Sequence, residues 1–142
     1  MTVAGDPKRV RPIHPVFAFL LAAGVPLYLG GFLSDITYGN SAEPQWANFA
    51  AWLIAGAMVF TGLALLWALL AAIRPSGRGL RPVLCLLLLI AAFVLGLVDS
   101  FHHARDAWAI MPAAPVLSAL VTVAAALAAA VGLSTVRAGE AP

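Results

Sequence analysis

The run Asp99-Ser100-Phe101-His102-His103-Ala104-Arg105-Asp106 holds two carboxylates, two imidazoles and a guanidinium in an otherwise apolar chain. If it is helical, Asp99, His102 or His103, and Asp106 share one face at i, i+3, i+4 and i+7. A carboxylate and an imidazole one turn apart can chelate a divalent metal or pass a proton. Asp99, His102, His103 and Asp106 are therefore the candidate metal ligands. Asp35 can approach from another helix that ends on the same side, which makes Asp35, His102 and His103 the candidate cofactor-binding residues. The plainer reading is a polar helix end in which Asp99 and Asp106 pair with Arg105 or cap a terminus.

Haem b is the sharper chemical idea, and it meets a geometric obstacle. A bis-histidine haem needs two imidazoles facing each other at one depth. His102 and His103 are sequence neighbours and point in different directions. The third histidine, His14, is expected at the opposite membrane face, roughly 30 Å away at 1.5 Å per helical residue. One copy with straight helices cannot clamp the iron from both sides. A homodimer or a single-histidine haem can. A quinone pocket lined by His102, Asp35 and aromatic residues is the comparable alternative.

The elements that must position these side chains are four long apolar runs, expected as spans over about 15–35, 46–73, 81–103 and 114–136. Of the 142 residues, 63% are hydrophobic and only 10% charged. A soluble domain is nearer half apolar and a quarter charged, and a bilayer core of about 30 Å takes about 20 apolar residues per helix. Seven of the eight Lys and Arg residues fall on one side of these runs: Lys8, Arg9, Arg11, Arg74, Arg78, Arg81 and Arg137. Only Arg105 falls on the other. Basic loops stay in the cytoplasm, so both termini are expected inside and the 35–45 and 99–112 loops outside. The basic pI then needs no nucleic acid to explain it. The expected fold is an all-α, integral membrane four-helix bundle over 13–136, with cytoplasmic tails at 1–12 and 137–142.

The first run is expected to stay in place rather than be cleaved as a signal peptide. It is too long, and Asn40-Ser41-Ala42 is a poor cleavage site. Helix one is expected to start at His14-Pro15, to loosen at Pro26 and Gly30-Gly31, and to end near Asp35, with Tyr38-Gly39-Asn40-Ser41 as a turn. Helix three is expected to run past His103 towards Trp108, until Met111-Pro112 breaks it. Cys85, the single cysteine, excludes an intramolecular disulfide and is expected to pack as a small hydrophobe. In helix four, Ser118, Thr122, Ala126, Ala130 and Ser134 recur every fourth residue, a stripe that would let helices approach closely in lipid. Tyr28 and Thr61 are expected to hydrogen-bond locally. No acidic residue is expected inside the membrane to mark an ion path, which argues against a transporter. The chain has no phosphate loop, nucleophile elbow or cysteine pair, so no residue is assigned as catalytic.

Four stretches together resemble a known family: Ile13-His14-Pro15, the run from Gly30 to Tyr38, the run from Gln45 to Leu53, and the run from His103 to Pro112. They look like the bacterial four-helix membrane family catalogued as domain of unknown function 2231. The resemblance spans about residues 13–136. It implies an inner-membrane protein without established activity, associated with periplasmic propellers of the sorbosone dehydrogenase type. Many members carry a second histidine shortly after the His-Pro pair, and Val16-Phe17-Ala18-Phe19 has none. The expectation is a non-catalytic membrane anchor or accessory subunit that docks a periplasmic redox partner through Tyr38, Trp46, Arg105 and Trp108. A haem- or quinone-binding electron carrier is the alternative, and a small transporter the third reading.

Overall fold

A computed structural model describes residues 13–74, 79–105 and 107–137. Four α-helices form the protein: α1 (Pro15–Ser41), α2 (Pro44–Ile73), α3 (Leu80–His103) and α4 (Ala113–Arg137). A single 3₁₀ turn, Ala107–Ile110, lies between α3 and α4. Each α-helix is long and apolar enough to cross a membrane, and the chain is read as a multi-pass membrane protein. The large side chains turned outward support this. Trp52, Ile73, Leu80 and Phe101 are each more than 70% exposed, which a protein in water would not tolerate over such a surface.

Local chemistry sets the helix ends. Pro15 occupies the first turn of α1, where its missing N–H costs nothing. The His14 ring accepts the Val16 N–H at 3.3 Å and caps the helix. The helix does not end near Asp35, as its sequence suggested, but continues through Gly39 to Ser41. Ser34, Thr37 and Ser41 each return a hydroxyl to the carbonyl four residues back. Tyr38 is also buried against Ala47, Ile110 and Ala114. That packing outweighs the roughly 1 kcal/mol penalty of a helical glycine. The turn shrinks to Ala42-Glu43, with Ala42 in the left-handed region at φ 57°.

The end of α3 also departs from expectation. The helix stops at His103 instead of continuing towards Trp108. The Arg105 N–H bonds the His102 carbonyl, three residues back, which tightens and terminates the last turn. The chain then passes through the 3₁₀ turn and a cis Met111–Pro112 bond into α4.

Helices adjacent in sequence run antiparallel and form a ring: α1 packs on α2 and α4, and α3 packs on α2 and α4. The core is built from small residues. Ala50, Ala57, Ala92, Ala124 and Ala125 surround Tyr28, Ile54 and Val121 at mid-height. Gly30 and Gly31, expected to loosen α1, instead seat Leu53 and Ile54 of α2 where a Cβ would collide. Close approach of this kind drives association in lipid, because the surrounding solvent is as apolar as the interface.

The four-residue stripe on α4 is not the face that α4 buries. Ser118 is buried, Thr122 and Ala126 are half-buried, and Ala130 and Ser134 are exposed. At 100° per residue a four-residue step over-rotates by about 40°, so the stripe winds off the core. The buried line is Ala114, Ser118, Val121, Ala125 and Ala128, which alternates steps of four and three.

Candidate functional site: a buried Asp–His–Asp cluster

One end of the bundle gathers the last turns of α1 and α3 and the first turns of α2 and α4. About two turns inside it, three ionisable side chains meet. The His103 Nε2 lies 2.8 Å from the Asp35 Oδ1. Its Nδ1 lies 3.1 Å from the Asp99 Oδ1 and 3.0 Å from the Asp99 main-chain oxygen. The Ser118 hydroxyl reaches the other oxygen of Asp35 at 2.7 Å, with the Ala114 carbonyl as its second acceptor at 2.9 Å. The Asp35, Asp99 and Ser118 residues are 0% exposed, and the His103 side chain is 1% exposed.

Both acids are fully buried within helices long and apolar enough to span a membrane. Hydropathy averages conceal such residues, since one Asp among twenty apolar neighbours barely lowers the mean. The cluster also joins α1 to α3, which face each other diagonally across the ring and pack mainly on α2 and α4.

The charge balance is unusual. With a neutral imidazole and both carboxylates ionised, the cluster would hold two negative charges out of contact with water. Isolating charge in a low-dielectric interior is costly unless it is paired. One added proton makes His103 an imidazolium that can donate at both nitrogens. A second, on a carboxyl group, makes the cluster neutral. Asp35 is well provided with donors, from His103 and Ser118. Asp99 is not: neither carboxylate oxygen has a well-formed hydrogen bond. Asp99 is therefore the carboxyl group with the least support for its charge.

A closed apolar layer separates the cluster from the end of the bundle. Tyr38 lies one turn beyond Asp35, and Ala114 one turn before Ser118. Together with Ala47 and Ile110 they form a buried group, against which Trp46 and Met111 pack. His102 holds this layer in place. Its Nε2 lies 2.9 Å from the Ile110 carbonyl, which can only accept, so that nitrogen carries the proton. The two adjacent histidines thus have separate roles, His103 inside the bundle and His102 on the connection to α4.

Several sequence expectations change with this geometry. The metal set Asp99, His102, His103 and Asp106 does not assemble. His102 faces Ile110, and Asp106 lies outside the described residues. No three such side chains converge to hold a metal ion among the described residues. His103 does meet Asp35 and Asp99, but both its nitrogens face their oxygens and neither is left for a metal. The same engagement makes His103 a poor axial ligand for haem. Asp35 is held by His103 and Ser118, and His102 by the Ile110 carbonyl.

Of the docking residues, Tyr38 is 2% exposed and belongs to the core. Trp46 is half-buried and Arg105 exposed; the Trp108 side chain lies outside the described residues. At the opposite end, the His14 ring lies 4.9 Å from Trp67 and serves the helix start. Cys85 packs in the core as expected, with its Sγ 3.6 Å from the Ala128 carbonyl. Ser118 had been singled out for packing, and its link to Asp35 is new. Only its hydroxyl, in a helix of alanines, could have signalled the role.

No family model matches the chain, and no curated protein or solved structure matches it.

Proposed function

We propose that this is a proton-binding membrane subunit, with the exchangeable proton held among Asp35, His103 and Asp99. The observation that carries this reading is the meeting of two carboxylates and one imidazole at 2.8 and 3.1 Å within spanning helices. Ionisable groups buried in a membrane are costly and belong, by default, to function. An imidazole between two acids can hold a proton that either neighbouring carboxylate can share. The Ser118 hydroxyl that meets Asp35 is fully buried, and we read the subunit as non-catalytic.

The setting we propose is the bacterial inner membrane, with both termini in the cytoplasm and the His103 end towards the periplasm. Arg74 and Arg81 flank the connection at one end and Arg105 lies at the other, which supports that orientation. There the subunit would anchor a periplasmic redox enzyme of the sugar-dehydrogenase type, as the family resemblance implies, and take up or release protons beside it. The exposed Arg105 and the half-buried Trp46 form the rim such a partner would meet.

Infrared difference spectra of the protein in lipid nanodiscs, stepped across about pH 5 to 8, test the proton site. A protonated-carboxyl band should rise and fall with pH and vanish in Asp99→Asn. A carboxyl region that does not respond to pH would remove the reading. Docking is tested separately: Trp46→Ala and Arg105→Glu should each release a co-purifying periplasmic enzyme. Retention by both variants would rule out that rim.

A further inference from the structure

Asp99 is completely buried, and neither of its carboxylate oxygens has a well-formed hydrogen bond. Helical side chains lean towards the N-terminus, over the turn that precedes them. For Asp99 that turn contains Gly96, which has no side chain. The space above Gly96 is taken by two atoms of other helices. A Cβ there would lie 2.9 Å from the Tyr28 hydroxyl and would collide with the Met58 sulfur. The Tyr28 phenol therefore lies on the same face of α3 as the Asp99 carboxyl, about one turn further into the bundle. Tyr28 is 0% exposed.

The phenol is also weakly committed. Its donor bond goes to the Met58 thioether, 3.1 Å away, and sulfur is a poor acceptor. A carboxylate oxygen would be a far better one, by roughly a factor of two in strength over a neutral partner. The Thr61 hydroxyl on α2 bonds the Ala57 carbonyl at 3.0 Å. The groups that face Asp99 are then Asp35 and Tyr28 from α1, His102 and His103 from its own helix, and Ser118 near Asp35 from α4. α2 brings only Met58 and Thr61, which do not titrate.

We propose that the Tyr28 hydroxyl is the inward hydrogen-bonding partner of the Asp99 carboxyl, directly or through one water. The buried site is then a chain of four groups, Asp35, His103, Asp99 and Tyr28, running from near the end of the bundle to its middle. This rests on the proton-site reading for its purpose but not for its geometry. When Asp99 is ionised, the phenol turns from the Met58 sulfur and donates to the carboxylate. When Asp99 takes a proton, the phenol returns to sulfur and can accept the carboxyl O–H. The proton taken up stays on the Asp99 oxygen, and no other bond is made or broken. Gly96 is what allows this, since any side chain there would separate the two groups.

Infrared spectra of the full chain in nanodiscs test the pairing from both sides. Tyr28→Phe keeps the ring and its volume. It should shift the carboxyl band that Asp99→Asn removes to higher frequency, as expected when a hydrogen bond is lost. In return, Asp99→Asn should shift the phenol C–O band that Tyr28→Phe removes. Met58→Leu should leave the carboxyl band in place. If the Asp99 band exists but does not move in Tyr28→Phe, and the phenol band does not move in Asp99→Asn, the pairing is wrong and the proton site survives. If no protonated-carboxyl band is found but the phenol band still moves in Asp99→Asn, the pairing stands and the proton-site reading falls.

Discussion

At the scale of residues, the Asp35–His103–Asp99 cluster is held together by mutual need. Each member is costly to bury alone, and removal of one partner strands the others. His103→Ala would leave two carboxylates facing each other without a cation, and a loss of about 3–5 kcal/mol is expected. Thermal unfolding in detergent reads this directly. Asp35→Asn keeps the shape and removes a charge, so it should cost much less than His103→Ala. Equal losses would mean that packing, not charge, holds the site. Ser118→Ala removes one hydrogen bond to Asp35 and should cost about 1.5–3 kcal/mol, the range for a bond to a charged acceptor. Parity with wild type would place the Ser118 hydroxyl on the Ala114 carbonyl alone. The sequence showed that Asp99 and His103 stand one turn apart. It left open whether His102 or His103 faces inward. Neighbours on a helix differ by about 100°, and rotation about the α3 axis decides between them.

At the scale of elements, the ends of the helices decide what is exposed. Ala42 sits in a left-handed conformation that costs a non-glycine residue about 1 kcal/mol, and helices commonly end on glycine for this reason. Ala42→Gly should therefore raise stability by about that amount, again by thermal unfolding. No gain would mean that the added freedom of the unfolded glycine chain cancels the relief. The connection from α3 to α4 depends on the bond from His102 to the Ile110 carbonyl. His102→Ala should speed amide exchange across residues 107–112, with little change in the helices, as measured by hydrogen–deuterium exchange. Unchanged protection there would show that Ile110 packing alone keeps the layer closed. The sequence anticipated breaks at Gly39 and at Met111-Pro112. Neither held as expected: α1 runs through Gly39, because Tyr38 gains more from burial beside Ile110 and Ala114 than Gly39 loses in a helix, and α3 already ends at His103, before Met111-Pro112 is reached.

At the scale of the whole molecule, orientation in the bilayer determines which compartment the Asp–His–Asp cluster neighbours. A reporter inserted at Glu43, between α1 and α2, should be active only as a periplasmic fusion, and one at Gly77 only as a cytoplasmic fusion. The reverse pattern would place the cluster beside the cytoplasm and remove the case for a periplasmic partner. The apolar runs and the loop charges are properties of consecutive residues, so the number of helices and their approximate limits could be read from the sequence alone. The facing of each helix could not. In lipid the outside is as apolar as the inside, so no hydrophobic periodicity marks the buried side. The α4 stripe misled for that reason. The meeting of Asp35 with His103, 68 residues later, follows from antiparallel packing of four helices into a ring. Local sequence supplied the acids and the imidazole. Tertiary structure alone brought them across the diagonal of the bundle, because only there can each satisfy the charge of the others away from water.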